Sequence, residues 1–158
     1  MRTSLALACT LVLLSACDAS STLQGTWNVE RWTYGVGGGD GSVITNEAVV
    51  EDAGTLEFSE GVSPSGYGEL ILTRRLNHGP RRGSDQASFF EVPVTDTDIV
   101  GYDAGGPFSE ENQITVFDID TLWNGAWILD GSTLSRGYLT DFGGGAALRE
   151  ESTFELAR

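Results

Sequence analysis

Trp127-Ile128-Leu129-Asp130-Gly131-Ser132-Thr133-Leu134 decides the fold class. Two short apolar runs flank Asp130-Gly131, a strong two-residue hairpin signal because both positions accept positive φ. Outward from this hairpin the pattern repeats. Short runs of β-branched and aromatic residues alternate with turn clusters, and no long helical periodicity appears. Strands are expected near 25–34, 43–50, 54–60, 67–76, 86–93, 113–119, 126–130, 133–140 and 146–157. Such a count suits an all-β fold, an antiparallel up-and-down β-barrel of about eight strands, which removes open sheet edges. Gly37-Gly38-Gly39-Asp40-Gly41 should end the first strand, and Gly143-Gly144-Gly145 should join the last two. Residues 94–112 are the least strand-like, and Pro107-Phe108-Ser109-Glu110-Glu111 suits a single helical turn at the rim.

Alternation within strands points to the core. Leu56 and Phe58 share one face, as do Leu148, Phe154 and Leu156. Glu150 and Ser152 have the parity of the second set. Either they line a polar interior, or a bulge shifts the register before Phe154.

The N-terminus carries an address. Arg2 precedes an apolar run, Leu5 to Leu14, that is too short to span a bilayer and reads as a secretory signal. Its exit, Leu14-Ser15-Ala16-Cys17, resembles the bacterial lipobox. The resemblance implies a signal peptide over 1–16, acylation of Cys17 with chains such as palmitate, a short tether over 17–22 and one domain over 23–158. It also implies a cell-envelope location, with the membrane as partner through the lipid anchor and the domain facing the periplasm or exterior. Cys9 would leave with the signal, so the mature chain would hold no disulfide, thiolate metal site or cysteine nucleophile.

Without Arg2, eight arginines face 23 acidic residues, and there is no lysine. The negative field argues against nucleic acid as a partner, and the missing lysine excludes Schiff-base chemistry.

The first strand opens Leu23-Gln24-Gly25-Thr26-Trp27-Asn28-Val29. A Gly-x-Trp there resembles the lipocalins and the wider calycin group, above all the lipocalin-like domains of bacterial lipoproteins. Gly54-Thr55-Leu56-Glu57-Phe58-Ser59, the hairpin at 127–134 and Thr153-Phe154-Glu155-Leu156-Ala157-Arg158 fit that kind of domain. The resemblance implies that Gly25 and Trp27 close one end of the barrel and that a basic residue, here Arg158, stacks across the indole.

Four arginines crowd around the single histidine: Arg74, Arg75, His78, Arg81 and Arg82. They form either an anion-binding loop at the barrel mouth or a solvated hairpin that offsets acidic surface. Asp96, Asp98 and Asp103 lack the spacing of a helix-loop-helix calcium site, leaving at most a loose surface site. Asp118 and Asp120 read as a hydrated outer face. No Gly-x-Ser-x-Gly accompanies the histidine, so no catalytic residues, resident metal or cofactor are expected, and the chain does not read as an enzyme. Trp123, Trp127, Phe117 and Tyr138 are either core plugs or the walls of an apolar cavity. Two functions follow: binding of a small hydrophobic ligand, or a filled barrel that serves as a structural module and contacts an envelope protein partner.

Overall fold

The computed structural model describes residues 23–37, 43–61, 69–103, 112–117, 122–143 and 146–158. Cys17 and the tether, Gly38 to Gly41, Pro107 to Glu111, Asp118, Asp120, Gly144 and Gly145 lie outside the described residues. Eight strands follow one another: β1 (Gly25–Gly37), β2 (Asn46–Glu60), β3 (Glu69–Pro80), β4 (Phe89–Asp103), β5 (Asn112–Phe117), β6 (Gly125–Asp130), β7 (Thr133–Gly143) and β8 (Ala146–Ala157). Each pairs antiparallel with its neighbour, and β1 also pairs with β8, which closes the barrel.

The closure is uneven. The ladders are long around β8-β1-β2-β3-β4, whereas β5 and β6 hold only six residues each. The β4–β5 pairing covers Ile99–Asp103 and the β6–β7 pairing covers Thr133–Ser135. Among the described residues, Phe89–Val94 and Leu139–Gly143 therefore have no strand partner on that side. A full barrel at one level becomes a curled sheet at the next.

Three expectations change. The runs 43–50 and 54–60 are not two strands but parts of the continuous β2, Asn46–Glu60, with a bulge at Asp52-Ala53 in the gap between them. Asp52 takes the strained φ of 52° there, and the short polar side chain makes that conformation tolerable. Next, 94–103 is strand rather than irregular chain, because β4 begins at Phe89 and runs to Asp103. A bulge at Val92-Pro93 resets its register against β3, at a place where proline's missing N–H does no harm. Finally, the hairpin turn is Gly131-Ser132, flanked by the pair Asp130 and Thr133. Gly131 alone takes a positive φ, 59°, as in a type II′ turn.

A motif recurs that reading from the first strand alone passes over. Leu23-Gln24-Gly25-Thr26-Trp27 opens β1, and Trp123-Asn124-Gly125-Ala126-Trp127 opens β6. Gly25 has φ 124° and Gly125 φ 109°, conformations that a Cβ would oppose. In both corners the tryptophan indole N–H donates to the carbonyl four residues earlier: Trp27 to Leu23 at 2.8 Å and Trp127 to Trp123 at 2.9 Å. Each bond ties the start of the strand to the residue four positions earlier, and both Leu23 and Trp123 are buried.

Candidate functional site

The inward row of β3 reads Leu70, Leu72, Arg74, Leu76, all buried. Arg74 thus stands inside the barrel wall rather than on a loop. Its guanidinium lies 2.5 Å from Asp98 and 3.1 Å from Asp96, both on β4, and 4.3 Å from the ring centroid of Trp123. Asp98 is nearly as buried as Arg74, so each charge offsets the other's lost hydration. Engagement with Arg74 gives Asp96 and Asp98 a structural use. Among the described residues, no group of three or more potential ligands could hold a metal ion.

β8 presents Leu148, Glu150, Ser152, Phe154 and Leu156 inward with no break in register between Glu150 and Phe154. The polar-interior alternative therefore holds. Tyr34 donates a hydrogen bond to buried Glu150, which Arg82 approaches to 3.4 Å, and the Trp32 indole donates to Ser152 at 3.4 Å.

Between these polar groups the interior is aromatic. Trp32 lies 4.8 Å from Phe154, and Trp123 lies 5.0 Å from Trp127 and 5.3 Å from Phe154 between ring centroids. At these spacings the rings touch and fill the space they enclose. Arg136 holds the carbonyl of Leu122, which fixes the segment that carries Trp123. Trp123 and Trp127 are therefore members of the packed core. Phe117 and Tyr138 occupy β5 and β7, with side chains outside the described residues.

The remaining members of the arginine cluster disperse. Arg75 points outward to Glu57 at 2.7 Å, and Arg81 lies 5.9 Å from the ring centre of Phe90. Arg82 turns back to Glu150. His78, beside the β3–β4 bulge, keeps its Nδ1 buried with no hydrogen-bond partner among the described residues.

Where the aromatic and polar regions meet, a partly enclosed cleft of about 150 Å³ enters the wall. Trp32, Trp123, Phe90 and Leu122 supply its apolar lining, and Arg74, His78, Arg82 and Asp96 its polar lining. A shallower outer groove of about 500 Å³ runs along Asn77, His78, Glu91, Val92 and Pro93. His78 borders both. The chain matches no protein-family model, no curated protein and no solved structure.

The structure unites Arg74, His78, Arg82 and Trp123, and separates Arg75 from them. Trp32, Phe90, Asp96 and Leu122 join the site without having been singled out for it. Strand parity could have found Arg74, since it alternates with Leu70, Leu72 and Leu76. At the far end of the barrel Arg158 lies 4.4 Å from the ring centre of Trp27, which is only partly buried.

Proposed function

We propose that this chain is a lipoprotein of the bacterial cell envelope, acylated at Cys17, whose lipocalin-like barrel binds a small molecule in the side cleft. The observation that carries the binding reading is the cleft itself, a recess with an aromatic wall and a polar wall that includes His78. The packed rings of Trp32, Trp123, Trp127 and Phe154 favour a ring-sized ligand over a long acyl chain, which would have to displace them.

The anchor would leave the cleft accessible. Leu23 is buried beside Trp27, at the end of the barrel opposite the β3–β4 connection. Six extended residues reach roughly 20 Å. On this reading the Trp27 end sits nearest the lipid, and the cleft receives its ligand from the aqueous side.

Replacing Cys17 by Ser tests the anchor. The variant should lose detergent-phase partitioning and fatty-acid incorporation, and retention of both would end the lipoprotein reading. Titration of the protein with fatty acids and with single-ring compounds, followed by tryptophan fluorescence, tests the site. Only the small compounds should perturb Trp123. The same aromatic packing also favours a second reading, a filled barrel that contacts an envelope protein. Silence of every small compound would make that the better account.

A further inference from the structure

The charges around the cleft are engaged with one another, and this restricts what can bind there. Arg74 meets Asp98 and Asp96, and Arg82 meets Glu150, itself a partner of Tyr34. Two guanidiniums thus face three carboxylates, two of them buried and fixed within the barrel. An incoming anion would compete for the guanidiniums with carboxylates already in place. A cation fares no better. The protein's own guanidiniums lie over two of the aromatic rings, Arg74 over Trp123 and Arg81 over Phe90. Either sign of ligand charge would lose hydration on entry and find its natural counterpart occupied.

Size narrows the choice further. A dry cavity of about 150 Å³ accommodates a benzene-sized molecule, and this cleft has that volume. Its wall is not wholly apolar, because Arg74, His78, Arg82 and Asp96 line it beside the rings. We infer that the cleft recognises an uncharged, single-ring molecule carrying one hydrogen-bonding group, with the ring against Trp32 and Trp123 and the polar group toward His78. The inference rests on the small-molecule reading above and names the ligand chemistry of that same site.

Phenol, toluene, benzoate and benzylamine are suitable probes, matched in ring size and different in charge and polarity. They are titrated into the mature chain, Cys17–Arg158, while the indole N–H resonances of Trp32 and Trp123 are followed by NMR. Phenol should shift both resonances and bind at least about tenfold more tightly than either charged probe, a ratio equivalent to one hydrogen-bonded or desolvated group. Toluene should bind roughly fivefold more weakly than phenol, the worth of one net hydrogen bond. His78→Leu should erase the phenol–toluene difference, and the wild-type comparison stands even if that variant does not fold. Benzoate or benzylamine binding as tightly as phenol would overturn the uncharged-ligand inference and leave small-molecule binding intact. Equal affinity for toluene and phenol would remove His78 from recognition and overturn the polar half of the inference. If no probe moves either indole, the small-molecule reading fails as a whole.

Discussion

At Gly25-Thr26-Trp27 and at Gly125-Ala126-Trp127 the chain makes the same turn into a strand, yet the two corners end in different surroundings. Both tryptophans donate to the carbonyl four residues back, and in both an arginine lies over an indole: Arg158 over Trp27 at 4.4 Å and Arg74 over Trp123 at 4.3 Å. Trp27 is partly buried and Arg158 is exposed, so water shares the work of solvating the charge. Trp127 is fully buried and Arg74 is 1 % exposed, so protein groups must replace that water. Asp98 and Asp96 do so. One local device therefore serves as a simple plug at one end and as the wall of a polar cleft at the other. The lesson is that a guanidinium over an indole depends on fixed protein charges where burial has taken its water away.

The largest effect should separate the corners directly. Trp127→Ala removes a ring packed among Trp123, Phe154 and neighbouring aliphatic side chains, and should destabilise the fold by about 3–5 kcal/mol. Trp27→Ala should cost clearly less, because part of its ring already faces water. Urea unfolding of both variants checks this. Equal losses would mean that the closed end is as tightly packed as the interior, and the contrast between the corners would collapse.

The next effect concerns the arginines. Arg74→Met leaves Asp98 buried without its nearest cation, and should cost about 3 kcal/mol, the lower end of the range for breaking a buried ion pair. Adding Asp98→Leu should bring stability back to within about 1 kcal/mol of the parent, since well-packed apolar replacements of buried pairs are often neutral. If the double variant stays as unstable as the single one, Arg74 contributes through Trp123 and Asp96 rather than through Asp98.

How much of this was legible beforehand depends on what each residue had to reveal. The barrel was legible, because alternating apolar residues and glycine-rich turns act locally. The charged interior was not. Arg74, Arg75, Arg81 and Arg82 look like one solvated patch when read as a run, but strand geometry sends Arg74 inward and Arg75 outward. Asp98 hid for a similar reason: polar residues around Pro93 made 94–103 resemble a loop, although Asp98 and Val100 alternate as strand residues do. The bulge at Asp52 made one strand look like two. In each case a tertiary partner determined the outcome, Arg74 for Asp98 and the β1 ladder for Asp52, and no local propensity encodes such a partner. The cleft lies outside local reading altogether, because its lining comes from β1, β3, β4, the β3–β4 connection and the segment before β6.

The smallest predicted effect tests the closed end alone. Arg158 is exposed, so water shares in solvating the charge that it places over Trp27. A guanidinium over an indole at such a site is worth about 0.5–1 kcal/mol. A double-mutant cycle on Trp27→Leu and Arg158→Ala should therefore return a coupling of that size, because the leucine keeps much of the apolar contact while removing the ring face. Raising salt should change it little, since the attraction acts over a few ångströms, well inside the screening length of about 8–10 Å. Strict additivity would mean that the two residues are neighbours without interacting energetically. The closed end would then owe its stability to Trp27 and Leu23 packing alone, and the likeness to the lipocalin pattern of a basic residue across the first-strand tryptophan would lose its energetic content.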